Sequence, residues 1–171
     1  MPQRTIISTS QLQQRIADLG KQITSEIPVD ANVVALCVLK GAVFFMTDLV
    51  RAMDRDVAID FLQVSSYGND MTSSGVVTVL KEPQLDLRKK TVLVIEDIVD
   101  SGLTLREVDR YIRNKGAADV RTVTLLDKPA ARKVEFTPDY IGFSIDPMFV
   151  VGYGLDHAEK YRNVPEIRVV E

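Results

Sequence analysis

Residues 91–105, T-V-L-V-I-E-D-I-V-D-S-G-L-T-L, decide how this chain folds. Val92, Leu93, Val94 and Ile95 form an unbroken apolar run, the pattern of a strand buried on both faces in the middle of a parallel sheet. Two adjacent carboxylates, Glu96 and Asp97, follow directly, and a third, Asp100, comes after two more apolar residues. Ser101-Gly102 is a chain breaker. Beyond it Leu105, Val108 and Ile112 recur at the spacing of one helix face. The stretch therefore predicts strand, acidic loop, helix. In an open α/β sheet, ligands bind beyond the carboxyl end of such a strand.

Working outward, the same alternation continues on both sides. Ser10 and Gln13 fit a capping box, and Leu12, Ile16, Leu19 and Ile23 make an apolar stripe, predicting an amphipathic helix over 11–26 that Pro28 ends. Val33–Leu39 is a second buried strand, broken by Lys40-Gly41, with an apolar helix over 42–53 and a strand over 57–64. Residues 65–75, S-S-Y-G-N-D-M-T-S-S-G, are nearly all small or polar and predict a long loop in a hairpin that returns over 76–80. The helix after the acidic loop ends near Lys115-Gly116, and 120–126 is another strand. Strands alternating with helices predict a mostly parallel twisted sheet flanked by helices.

From Asp127 the pattern loosens. Pro129, Pro138, Pro147 and Pro165 interrupt short β-like pieces at 140–145, 149–152 and 167–170. This reads as a small C-terminal hood, from about 127–171 together with the N-terminal segment, added to a core of about 28–126 within a single domain. At 171 residues, 46% apolar and 26% charged, the chain can bury an ordinary globular core. A net charge of −3 argues against a nucleic-acid or membrane-surface binder, which normally carries a basic excess. Cys37 is the single cysteine and sits in an apolar run, so no disulfide can form within the chain and a cytoplasmic setting is expected. No apolar run approaches the ~20 residues of a membrane span.

The acidic loop admits several chemistries. Carboxylate oxygens suit Mg²⁺, and paired acids accept well from the two hydroxyls of a vicinal diol. Residues 100–104 lead into a helix N-terminus, whose free N–H groups and positive dipole end suit a phosphate. Gly102 lets backbone approach closely, and Ser101 and Thr104 add hydroxyls. Acids for a diol beside donors for a phosphate describe a ribose phosphate. On spacing alone, a helix-capping Asp100 with solvated Glu96 and Asp97 stays open. No G-x-x-x-x-G-K-[ST] and no G-x-G-x-x-G occurs, and D-I-V-D is not the D-x-D of an aspartyl-phosphate enzyme.

V-L-V-I-E-D-I-V-D-S-G-L-T closely resembles the phosphoribosyl pyrophosphate motif of the type I phosphoribosyltransferases. Further blocks resemble the branch of that family acting on hypoxanthine and guanine: V-L-K-G-A at 38–42, S-S-Y-G at 65–68, D-K-P at 127–129, F-V-V-G-Y-G-L-D at 149–156 and Y-R-N-V-P at 161–165. The resemblance implies transfer of a phosphoribosyl group from phosphoribosyl pyrophosphate to a 6-oxopurine with Mg²⁺. It implies Glu96 and Asp97 at the ribose hydroxyls, directly or through Mg²⁺, and Asp100 as the general base near purine N7. The backbone of Asp100, Ser101, Gly102, Leu103 and Thr104 would cradle the 5-phosphate. Lys40-Gly41 would bind pyrophosphate, with a cis bond between Leu39 and Lys40, and Arg162 would add a guanidinium fork. Lys128 would donate to the 6-oxygen and so reject adenine. Phe149 would stack on the base and Val150 would offer backbone contacts to its edge. Asp156 is implied at the purine end and as a Mg²⁺ ligand with Glu96 and Asp97. Ser66 and Tyr67 would belong to a closing lid that excludes water, although Asn69-Asp70-Met71 departs from the family's usual Thr/Gly-rich run. His157 has no family role, and Tyr153 and Tyr161 are expected to pack. The family implies a homodimer or homotetramer. A xanthine- or guanine-preferring sister enzyme is the near alternative, and an RNA-binding pyrimidine regulator of the same fold the distant one.

Overall fold

A computed structural model describes residues 3–66 and 77–170. The central sheet has six strands in the order β4-β3-β2-β5-β6-β7. They are β2 (Val33–Leu39), β3 (Ala58–Ser66), β4 (Val77–Lys81), β5 (Thr91–Val99), β6 (Asp119–Asp127) and β7 (Tyr140–Ser144). All neighbours are parallel except β3 and β4, which form the hairpin. The quoted segment supplies the centre: β5 pairs with β2 and β6, Ile95 standing opposite Cys37 on one side and Val123 on the other. Its apolar run is continuous because both faces are covered. Leu93 and Ile95 enter the core under α1 (Thr9–Glu26) and α2 (Val43–Ala52), while Val92 and Val94 enter the core under α3 (Leu103–Asn114).

A second, antiparallel sheet joins the chain ends in the order β1-β9-β8, with β1 at Gln3–Ile7, β8 at Val150–Val151 and β9 at Ile167–Val170. β1 was not expected from the sequence: five residues have too little periodicity to declare themselves, and only pairing with β9 makes them a strand. β7 lies among the C-terminal pieces in sequence but pairs with β6 in the main sheet. Its outer edge is closed by Arg15 of α1, which donates from Nε to the Gly142 carbonyl at 2.9 Å and from Nη2 to Ile141 at 2.6 Å.

α1 starts two residues earlier than expected. Its capping box is Ser8 with Gln11, not Ser10 with Gln13: the Ser8 hydroxyl accepts from the Gln11 amide at 3.3 Å, and Gln11 Oε1 accepts from the Ser8 amide at 2.8 Å. Both pairs fit S-x-x-Q, but β1 ends at Ile7 and leaves Ser8 extended, the backbone an N-cap needs. Ser8→Ala should lower stability by about 1 kcal/mol, read as a shifted denaturant midpoint with unchanged slope. Cys37 is buried with a free thiol, and burial pushes its pKa up to about 12. Among the described residues no helix is long and apolar enough to cross a membrane.

Candidate active site

Most of the residues singled out from the sequence fall at the carboxyl ends of β2, β5 and β6 or in the segment 149–162, which reaches the turn after β2 through Gly154 and Gly41. One expectation changes here. Glu96 and Asp97 lie within β5, not in a loop after it, because pairing with β6 continues through Glu96–Thr124 and on to Val99–Asp127. The ladder carries both carboxylates into the sheet. Burial raises both pKa values, and the adjacent Asp97 carboxylate raises that of Glu96 further. Backbone donors partly compensate: Glu96 Oε1 accepts from the Asp97 amide at 3.2 Å and Asp97 Oδ1 from the Ile98 amide at 2.8 Å. The two carboxyl groups are close enough to hydrogen-bond each other. Asp97 packs on Gly41, where a Cβ would overlap its carboxylate and force it to move. Glu96 lines a cavity of about 240 Å³ with Asp100, Ser101, Gly102 and Thr104.

α3 begins at Leu103, two residues before the first expected helical position. Gly102 is its N-cap in the left-handed region (φ +81), which excuses the chain from a side-chain cap and turns it sharply out of the loop. The Leu103 amide meets Ser101 Oγ at 3.3 Å, and the first helical bond is Arg106 N–H to Gly102 C=O at 3.1 Å. Thr104 and Leu105, in the first turn of α3, also line this cavity, and free first-turn N–H groups suit an anion.

Asp100 and Lys128, on different loops, form an ion pair at 2.9 Å, and the Lys128 side chain is only 11% exposed. The fold thus joins the expected base to the expected purine donor. Arg132, which the sequence reading missed, bonds the same loop: Nη1 donates to the Asp100 carbonyl at 2.7 Å and Nη2 pairs with buried Asp127. A 3-10 turn over Pro129–Ala131 brings Arg132 back to that loop.

On the other side of β5 the hood abuts the turn after β2. The Leu39–Lys40 bond is cis. Gly154 (φ +103) rests on the Gly41 carbonyl oxygen, leaving no room for a Cβ. Arg162 donates from Nη1 to the Gly154 carbonyl at 2.6 Å and pairs with Asp156 at 2.9 Å, while Lys40 pairs with Glu159 at 3.0 Å. Phe149 is 51% exposed beside buried Val150, an apolar ring facing outward at the site's edge. His157 is exposed and sets its ring edge-on to Phe149 at 5.4 Å. Tyr153 packs against Phe44 as expected and also donates its hydroxyl to Asp48. Asp156, the third carboxylate expected near a metal, pairs with Arg162 at 2.9 Å and accepts from the Glu159 amide at 2.8 Å; among the described residues no group of three His, Cys, Asp or Glu forms a metal cage by itself. Ser66 ends β3, and Tyr67 lies outside the described residues.

Comparison with known proteins adds four findings. The family described as phosphoribosyl transferase domain matches residues 5–158. The chain is 44% identical over 169 residues to the hypoxanthine-guanine phosphoribosyltransferase of Bacillus subtilis, covering 99% of this chain and 93% of that one. It is 47% identical to the bifunctional protein TilS/HprT of Listeria monocytogenes, covering 99% of this chain but spanning only 26% of that protein. Among solved structures, a hypoxanthine-guanine phosphoribosyltransferase of Bacillus anthracis superposes with a TM-score of 0.94 at 43% identity, covering 98% of each chain.

Proposed function

The chain belongs to the phosphoribosyl transferase family, and from that premise we propose that it is a purine-salvage enzyme. It moves the 5-phosphoribosyl group of phosphoribosyl pyrophosphate onto N9 of hypoxanthine, and of guanine, giving the nucleoside monophosphate and pyrophosphate. The observation that carries this reading is the Asp100–Lys128 pair at 2.9 Å beside the N-terminus of α3. A base and a 6-oxygen donor stand together where the helix end offers amides to a sugar phosphate.

The roles follow from the chemistry. N9 attacks C1 of the ribose as the C1–O bond to pyrophosphate breaks, and the purine proton near N7 passes to the Asp100 carboxylate. Lys128 donates to the 6-oxygen, which leaves adenine, with its own donor there, poorly matched. Phe149 stacks on the base, and Val150 and Asp156 line its edge. Glu96 and Asp97 accept from the ribose hydroxyls, and residues 100–104 receive the 5-phosphate. Lys40, Gly41 and Arg162 receive the pyrophosphate. Ser66 and Tyr67 close over the site.

Mg²⁺ fits this donor set. Glu96 and Asp97 are two neighbouring carboxylates of raised pKa, and a divalent cation would favour their ionised forms. Mg²⁺ is commonly held by one or two carboxylates plus substrate phosphates and water, so a ready-made protein cage is not required. Glu96, Asp97 and Asp156 are the residues that would hold it, and it would neutralise charge on the departing pyrophosphate. The chain acts in the cytoplasm as a homodimer or homotetramer, with half-exposed Phe44 on α2 as part of the contact.

Assay of the purified chain with phosphoribosyl pyrophosphate, Mg²⁺ and each of hypoxanthine, guanine, xanthine and adenine tests the proposal. Turnover of hypoxanthine and guanine is expected. Efficient use of adenine, or of no purine, overturns it, and preference for xanthine favours the sister enzyme. In the same assay Lys128→Ala should raise KM for hypoxanthine about 10- to 100-fold, the worth of a charged hydrogen bond, with a far smaller change in KM for phosphoribosyl pyrophosphate.

A further inference from the structure

The loop that turns from β5 into α3 is held almost entirely from one side, by the segment 128–133. Three consecutive carbonyls of the loop each accept from that segment. The Val99 carbonyl takes the Lys128 amide at 2.9 Å, the Asp100 carbonyl takes Arg132 Nη1 at 2.7 Å, and the Ser101 carbonyl takes the Lys133 amide at 2.9 Å. Two of these bonds are backbone to backbone. The middle one depends on a side chain, and that side chain is anchored: Arg132 Nη2 pairs with the Asp127 carboxylate, both side chains being nearly buried. The Arg132 stem also lies under Gly102, close enough that a Cβ there would come within 2.8 Å of its Cδ.

We propose that Arg132 is a positioning residue for the sugar-phosphate site. Carbonyls drawn towards 128–133 turn the same peptide planes so that their N–H groups face away from that segment, towards the cavity that Glu96, Ser101 and Thr104 line. Arg132 sets the middle plane, and with it the direction from which Asp100 presents its carboxylate. An arginine is required because two nitrogens on a rigid plane reach two partners at once, the carbonyl and Asp127. Lysine can keep the charge beside Asp127 but has one nitrogen to serve both. The device also ties the loop to Lys128, which starts the same segment and bonds both Val99 and Asp100.

This inference rests on the proposed assignment of the loop to the 5-phosphate, and its test separates the two. Arg132→Ala and Arg132→Lys are compared with the unaltered chain by steady-state kinetics and by ¹H–¹⁵N spectra. KM for phosphoribosyl pyrophosphate should rise about tenfold or more in both variants, since a misplaced site costs at least this, while KM for hypoxanthine stays within about twofold. Guanidinium ion added to Arg132→Ala should recover part of the loss. The amides of Ser101, Gly102, Leu103 and Thr104 should shift, with those of β8 and β9 unmoved. Arg132→Lys covers the case in which Arg132→Ala, leaving Asp127 unpaired, does not fold. Equal rises in both KM values, unchanged kinetics, or unmoved loop amides overturn the role of Arg132. Should the unaltered chain turn over no purine, the proposed function fails, and the loop amides still decide whether Arg132 orients the loop.

Discussion

Asp100→Asn should lower kcat for hypoxanthine by about 10²- to 10³-fold, the range a positioned proton acceptor supplies. Asparagine has the same shape and can still accept a hydrogen bond from the Lys128 ammonium, so the 2.9 Å contact has a neutral replacement. What it cannot do is take a proton. The loop carbonyls at Val99, Asp100 and Ser101 remain bound by the segment 128–133, because those bonds do not involve the Asp100 side chain. Binding of phosphoribosyl pyrophosphate and of the nucleotide product, measured by calorimetry, should therefore stay within about threefold while turnover collapses. Equal losses in binding and turnover would mean that Asp100 holds the loop and does not carry the proton.

Gly154→Ala should damage stability and site geometry together. Gly154 sits at φ +103, where a side chain is strained at about 1–3 kcal/mol. A Cβ there would also overlap the Gly41 carbonyl oxygen, a backbone atom that cannot swing aside as a flexible side chain could. Forcing the hood away adds overpacking of about 1–3 kcal/mol. A total near 4 kcal/mol corresponds to a fall in Tm on the order of 10 °C for a chain of this size. Gly41 is itself wedged against Asp97, and the Gly154 carbonyl holds Arg162, so the displacement reaches both groups assigned to pyrophosphate. KM for phosphoribosyl pyrophosphate should rise with the loss of stability. A variant that melts like the unaltered chain would show that the hood moves freely on the turn after β2. Thermal denaturation followed by circular dichroism, with kinetics on the same preparation, reads both effects.

How much of this was written in the sequence depends on the range over which each feature is decided. The buried strands β2 and β5, the helices that follow them and their order needed only local apolar periodicity, and Val33–Leu39 was read with its observed ends. Features that depend on a partner shifted or escaped. The helix α1 takes Ser8 for its cap because β1 stops at Ile7, and β1 exists only because β9 lies beside it. The residues of the acidic stretch could be picked out by type, but their setting could not. Glu96 and Asp97 look like loop residues in one dimension, and pairing with β6 draws them into the sheet and raises their pKa values by burial.

The sequence alone determined the kinds of group that this protein brings to its chemistry. They are three carboxylates after a buried strand, a glycine-led helix start, a lysine before a proline, and a phenylalanine ahead of two valines. Only the tertiary structure decided that Asp100 meets Lys128, that Arg132 reaches back to the loop through a 3-10 turn, and that Gly154 presses on Gly41. The reason is physical. Strand and helix are repeated short-range patterns that a few neighbouring residues can specify, whereas these contacts join segments far apart in the chain and are set by the register of the sheet that carries them.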